Sequence, residues 1–303
     1  MREVRIPLSK QDQDDNRTQE LIAYLLNNAY VQALMKENNL SESIIRNHPW
    51  KIKSWLDHYT PCIQCAGLAC CKQAVRGYYD NPVYDGVLQI EKKACRYERE
   101  KLQERSHLGY FLINDIPEEL YTVTFSRVNL KGESAEYAML WQACTKAVKE
   151  DTGLYLCGPM GTGKSYLASC AANYYAMHGR KVCYVHYPSF IRRIANMVKT
   201  GEYEKEVQRM GYCDLLVIDD IGAESVTVWN RDTILLPVLS RRFDHHLSTW
   251  FTSNEDLETL KEHFMITNNS RMERMKAERL IERIENMSEM KTLLGEDRRK
   301  TRI

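Results

Sequence analysis

Eight consecutive residues, Gly158-Pro159-Met160-Gly161-Thr162-Gly163-Lys164-Ser165, carry the side chains needed to grip a run of phosphates. Glycines let successive backbone N–H groups turn toward an anion, because they accept positive φ at little steric cost. Lys164 has the reach for β- and γ-phosphates, and the Ser165 hydroxyl suits Mg²⁺. Leu154-Tyr155-Leu156-Cys157 reads as a short strand before this loop, and Lys164 to His178 reads as a helix stopped by Gly179. The phosphates would then sit on a helix N-terminus, where unpaired N–H groups and the dipole favour anions.

A second set of chemical groups follows at Asp214-Leu215-Leu216-Val217-Ile218-Asp219-Asp220, four apolar residues running into two carboxylates. A buried strand that delivers Asp219 at its carboxyl end suits a magnesium shell, which takes one or two carboxylates, phosphates and water. Asp220 is placed to polarise an attacking water. Thr252-Ser253-Asn254 ends another apolar run, and the Asn254 amide is a candidate for bonding the γ-phosphate or that water. The predicted catalytic group is therefore Lys164, Asp219, Asp220 and Asn254, with residues 158–165 holding ATP and Ser165 with Asp219 holding Mg²⁺.

The elements that must position these groups alternate from Leu120 onward. Apolar runs at 153–157, 181–187, 214–219, 248–253 and 290–294 predict five strands, with helical patterns between most of them. Alternation with helical crossovers implies an α/β fold whose parallel sheet is covered on both faces, with ligand at the carboxyl ends of its strands. Upstream, residues 12–37 have a helical stripe of Leu21, Leu25, Leu26, Leu34 and Met35, and Glu42 to Tyr59 forms a second helical stretch interrupted at Pro49. A turn-rich region follows at about 62–97, with Asn81-Pro82 and Asp85-Gly86 among its turn formers, then a charged helical segment from Tyr97 to Arg105. The expected boundary lies near residue 110, giving domains 1–110 and 111–303.

Bulk properties narrow the class. The 303 residues carry a net charge of +1 with 27% charged, so nucleic-acid binding must come from local patches. The start, Met1-Arg2-Glu3-Val4-Arg5, lacks the apolar run of a secretory leader, and no segment approaches a membrane span. A cytoplasmic protein with no membrane partner is expected. Ten cysteines in that setting imply reduced thiols rather than a disulfide framework.

The Asp219-Asp220 pair, the Asn254 position and the implied strand order together resemble an AAA+ ATPase. Within that class, Leu215 to Glu224 with Phe251-Thr252-Ser253-Asn254 is similar to bacterial replicative-helicase loaders of the DnaC/DnaI type, most of all those of Gram-positive bacteria. The resemblance extends over nearly the whole chain. It implies a loader that delivers the replicative helicase hexamer onto single-stranded DNA, with the N-terminal domain gripping the helicase. It implies self-association through the ATPase domain, with an arginine of Arg279-Leu280-Ile281-Glu282-Arg283-Ile284 completing the neighbour's nucleotide site. Arg283 is the candidate, with Arg279 four residues away on the same helix face. It also implies an extra helical stretch, Ser189 to Met210, along which Arg192 and Arg193 would contact DNA phosphates. After the last expected strand only a basic tail follows (Arg298, Arg299, Lys300 and Arg302), where most AAA+ proteins continue into a helical lid. One departure bears on rate. The residue after the magnesium aspartate is usually Glu, and here it is Asp220, one methylene shorter. A misplacement of about 1 Å can cost about a hundredfold, so slow, switch-like turnover is expected.

The same loaders carry a zinc-binding segment before the ATPase. Cys62-x-x-Cys65 has the spacing of a zinc knuckle. Cys71 and Cys95 are the best-fitting further ligands, with Cys70 as an alternate to Cys71. A four-thiolate site would be structural, worth about 10 kcal/mol to a segment with few core residues. Lys72, Arg76, Tyr78, Tyr79, Tyr84, Lys92 and Lys93 surround it, either binding single-stranded nucleic acid or a protein face, or packing a small metal domain. Two other readings compete with the loader: a transposition-helper ATPase, and a zinc-containing nucleotide-binding adaptor without significant turnover.

Overall fold

The structure is a computed structural model and describes residues 10–265, 271–295 and 298. The chain divides into two compact units, Met1–Glu104 and Arg105–Ile303.

In the first unit, helices α1 (Lys10–Asn27), α2 (Ala29–Glu37), α3 (Glu42–Asn47) and α4 (Pro49–Ile63) pack around Leu25, Leu34, Ile45, Ile52, Trp55 and Leu56. The stripe expected to run unbroken over 12–37 is two helices. The Asn28 carboxamide oxygen accepts from the amides of Tyr30 and Val31, capping α2 and ending α1. Pro49 opens α4, where its missing N–H costs nothing. Strands β1 (Tyr78–Tyr84) and β2 (Leu88–Ala94) form an antiparallel hairpin, and helix α5 (Arg96–Glu104) follows. Asn81-Pro82, a turn former by sequence, lies inside β1, since a two-stranded ribbon leaves one edge of each strand unbonded. The Trp55 indole donates to the Asp80 carbonyl at 2.8 Å, tying α4 to the hairpin.

The second unit is a six-stranded parallel sheet in the order β3-β5-β6-β7-β4-β8. Its strands are β3 (Phe111–Asn114), β4 (Gly153–Cys157), β5 (Val182–His186), β6 (Leu215–Asp219), β7 (Ser248–Ser253) and β8 (Ser288–Thr292). The sixth strand, β3, corrects the expected five. The last strand starts two residues before its predicted position. Helices α6 (Ala135–Glu150) and α7 (Lys164–Met177) cover one face, reached by Leu154 and Leu156 of β4. The opposite face, reached by Tyr155 and Cys157, packs α8 (Tyr187–Ala195), α9 (Tyr203–Tyr212), α10 (Leu236–Asp244), α11 (Leu257–Phe264) and α12 (Arg271–Met287). Alternate residues of one strand thus feed two cores, as a sheet covered on both sides requires. Cys144, Cys157, Cys170, Cys183 and Cys213 are all buried in these layers. The helical stretch expected over 189–210 is split between α8 and α9, with Gly201 at φ 72 just before α9. Among the described residues no helix is long and apolar enough to cross a membrane.

Candidate nucleotide site

Strand β4 ends at Cys157 and α7 begins at Lys164, so residues 158–163 form a loop at the carboxyl edge of the sheet. Gly158 has φ 142, and a Cβ there would stand 2.1 Å from the Leu293 carbonyl oxygen, so only glycine fits. The Gly158 amide donates to the Ser253 carbonyl at 3.2 Å, which ties the loop to the end of β7 beside Asn254.

The side chains predicted to act together do meet. Lys164 is buried, and its ammonium donates to the carbonyls of Gly158 (2.7 Å) and Pro159 (2.8 Å) and to the Asn254 side-chain oxygen (3.0 Å). The Ser165 hydroxyl donates to Asp219 at 2.8 Å. Asp219 is buried at the end of β6 and also accepts from the Thr252 hydroxyl at 2.5 Å. Asn254 donates to Asp220 at 3.4 Å, joining the lysine to the second carboxylate. One cleft therefore holds the phosphate loop, its lysine, both carboxylates and the asparagine.

Asp220 is held unusually. Its φ is 60, a left-handed conformation that Asp and Asn tolerate best among residues with a Cβ. Its amide donates to the Thr252 hydroxyl at 3.0 Å. Burial first, and the neighbouring Asp219 second, push its carboxyl above the ordinary range. A carboxylate that prefers its proton in this way is a better base than a free one. His186 stands 3.8 Å from Asp220 and pairs in register with Asp219 across β5 and β6.

Two groups in this cleft were not singled out from sequence, Thr252 and His186. Thr252 lies two residues before Asn254 on β7, and His186 ends the strand beside the aspartate. Adjacency of parallel strand ends is the signal that marks both.

The magnesium pair fits its role by chemistry. Ser165 Oγ and the Asp219 carboxylate are hard oxygen donors already in contact, beside the loop that would present phosphate oxygens.

Arg283 lies elsewhere. It sits four residues before the end of α12, about 6 Å along the axis, and its guanidinium covers the Phe243 ring at 4.6 Å. Phe243 shares a surface cleft with Thr152 and Gly153, at the start of β4. Arg283 thus belongs to the amino edge of the sheet, opposite the loop, and does not serve its own chain's nucleotide. Arg279 is exposed on the same helix. Buried Arg231 anchors the start of α12, donating to Glu273 at 2.5 Å and to the Phe264 carbonyl at 2.9 Å.

The two arginines of α8 have different fates. Arg192 is exposed and donates to Ser189 at 3.3 Å. Arg193 forms a two-point pair with Asp115, at 2.9 and 3.2 Å, which holds its guanidinium against the protein. Arg299, Lys300 and Arg302 lie outside the described residues.

In the first unit the cysteines gather without closing a ligand set. Among the described residues no group of three or more His, Cys, Asp or Glu side chains is arranged to hold a metal ion. Cys62, Cys65, Cys71 and Cys95, the expected zinc ligands, lie in this region without forming a closed set here. Three of these sulfurs have protein partners. The Cys62 sulfur accepts from Gln73 at 3.1 Å, Cys65 donates to the Gly67 carbonyl at 3.4 Å, and Cys71 accepts from the Gly77 amide at 3.4 Å. That amide draws the Cys71 thiol below its usual range, whereas burial pushes Cys62 up. Cys70 is exposed.

A parallel α/β sheet with a phosphate loop, a lysine and two strand-end carboxylates in one cleft defines a P-loop nucleotide-binding protein. The family model described as IstB-like ATP binding protein matches residues 136–301, and the chain belongs to that family. Over 292 residues, 93% of each chain, it is 29% identical to the replicative helicase loader DnaI of Bacillus subtilis. It is 29% identical over 170 residues to a putative insertion sequence ATP-binding protein, y4pL, of Sinorhizobium fredii, covering 55% of this chain and 65% of that one. A crystal structure of DnaI superposes with a TM-score of 0.54 at 27% identity, covering 63% of this chain and 98% of the other.

Proposed function

We propose that this protein is an ATP-switched loader that delivers a replicative DNA helicase onto single-stranded DNA. The observation that carries the reading is the likeness to a replicative helicase loader across 93% of both chains, N-terminal unit included. The likeness to an insertion-sequence ATP-binding protein stops at 55% of this chain, which disfavours a transposition helper.

ATP with Mg²⁺ supplies the phosphoanhydride to be cleaved and the charge that orients it. The chain's own groups do the rest. Loop N–H groups would receive phosphate oxygens, Lys164 would turn from its carbonyl partners toward them, and Ser165 with Asp219 would hold the ion. Asp220 takes the proton of the attacking water, and Asn254, bonded to both Lys164 and Asp220, registers whether a γ-phosphate is present. A carboxylate one methylene short, on a left-handed residue, makes turnover slow. Arg283, remote from its own loop, completes the site of a neighbouring subunit and so couples ATP to assembly. By linkage, ATP must then bind the assembled state more tightly than the free one. Arg192 meets DNA phosphates, and the first unit, with Trp50 exposed, meets the helicase. Cys62, Cys65, Cys71 and Cys95 would hold a structural zinc, with Cys62, Cys65 and Cys71 exchanging their present partners for the ion.

A loading assay tests the reading. The cognate helicase should unwind a primed, closed-circular single-stranded template only when this protein and ATP are both present. Equal unwinding without it, or with Lys164→Ala in its place, would sink the proposal.

A further inference from the structure

Beyond β8, Leu293 and Arg298 both bond the chain at the phosphate loop. Leu293 donates its amide to the Cys157 carbonyl at 2.7 Å, and Arg298 donates its amide to the Gly161 carbonyl at 3.0 Å. The approach is close at both ends of the loop: the Leu293 carbonyl fills the place of a Gly158 side chain, and Arg298 Cδ lies 3.5 Å from where a Gly163 Cβ would stand. From there the Arg298 guanidinium crosses to the start of α6. It sits over the Tyr137 ring, 3.5 Å from the centroid, and forms a two-point ion pair with Glu133, 2.8 Å for Nη1 to Oε1. Glu133 and Tyr137 flank Ser134, whose hydroxyl caps α6 by accepting from the Tyr137 amide. Only 34% and 26% of the two charged side chains is exposed, so water screens the pair incompletely. Burial pushes the Tyr137 hydroxyl up to about 12, so the ring stays a neutral face for the cation.

One of these main-chain bonds ends on the last carbonyl of β4 and the other on a carbonyl of the loop. Neither consumes an N–H group that a phosphate would need. Leu293 and Arg298 therefore brace the loop without using its amides.

We propose that Leu293 and Arg298 form a clasp on the nucleotide site, in which the Arg298–Glu133 pair pins the phosphate loop to the start of α6 and keeps it shaped for a triphosphate. The proposal rests on the ATP-binding reading and adds a positioning residue to it. A loop held in its binding shape spends less interaction energy on ordering, so the clasp slows nucleotide release.

The test uses the full chain with Arg298→Ala, Glu133→Gln and the swapped pair Arg298→Glu with Glu133→Arg. Release of a fluorescent ATP analogue with Mg²⁺ is followed by stopped flow, and amide hydrogen exchange of residues 158–163 is measured in nucleotide-free protein. Each single variant should release about tenfold faster and exchange faster, and the swap should recover most of both losses. Release within twofold of wild type with unchanged exchange overturns the clasp, as does slower release, which would make the tail an obstruction. Lys164→Ala separates the two levels. If it binds the analogue as well as wild type, the nucleotide reading fails; if it fails to bind while Arg298→Ala behaves as wild type, only the clasp fails.

Discussion

Asp220→Asn isolates the charge of the proposed base from its geometry. Asparagine tolerates the φ of 60 at this position, and its side-chain oxygen keeps an acceptor for Asn254, now at 3.4 Å. The backbone bond to Thr252 is untouched. What disappears is the carboxylate that would take a proton from water, an effect worth about a hundredfold or more, or about 2.7 kcal/mol of barrier. ATP affinity should stay within about threefold, because Ser165, Asp219 and Lys164 keep their contacts. Stability should move the other way. Burial, then Asp219, raise the carboxyl's affinity for its proton in the folded state, so folded protein binds more protons than unfolded chain between the ordinary and the raised value. Stability contributed by this group therefore falls as pH rises through that window. At neutral pH Asp220→Asn should melt no lower than wild type, and any advantage should vanish as pH drops below the raised value. The acid limb of wild-type hydrolysis should lie above the ordinary carboxylate range for the same reason. Single-turnover phosphate release with melting curves from pH 4 to 8 measures all of this. Hydrolysis within threefold of wild type would refute Asp220 as the base.

Three further outcomes follow from the placement of other groups. Arg283→Ala should bind ATP normally yet lose DNA-stimulated hydrolysis, and mixing it with Lys164→Ala should restore part of the rate, because each chain supplies what the other lacks. No recovery on mixing would count against a finger acting between subunits. Arg192→Ala should weaken single-stranded DNA binding and reduce its salt dependence by about one ion, whereas Arg193→Ala should mainly lower the melting temperature by freeing Asp115. Equal loss of DNA affinity in both would mean the Asp115 pair opens on binding. Purified protein should contain one zinc per chain, retained in Cys70→Ser and lost in Cys71→Ser. Metal-free protein with unchanged folding would leave the cysteine corner as ordinary thiols.

Much of the nucleotide site was legible because its determinants are local. The spacing of residues 158–165, and four apolar residues running into Asp219-Asp220, each specify a strand end and what it presents. Register across strands is not local. His186 stands beside Asp219 only because β5 and β6 pair with their ends level, and Thr252 reaches Asp219 only because β7 lies between β6 and β4. The strand β3 was missed because four residues at a sheet edge, three of them partly exposed, give no periodic pattern. Asn28 broke the first helix through one side-chain cap, a feature that a continuous leucine stripe conceals. Spacing alone does not fix what surrounds the cysteine sulfurs. Cys62 and Cys65 have a ligand's separation, yet a glutamine and a glycine carbonyl hold their sulfurs. Arg298 read as part of a basic tail, and its return to the loop depends on Glu133, far away in sequence.

The central claim is that this ATP-binding protein works on a replicative helicase. Size-exclusion chromatography of the full chain with the cognate helicase, with ATP and without, measures that directly. A co-eluting complex is expected, with a stoichiometry that depends on ATP in wild type and not in Lys164→Ala. Separate elution under every condition, alongside a stable complex with a transposase, would contradict it.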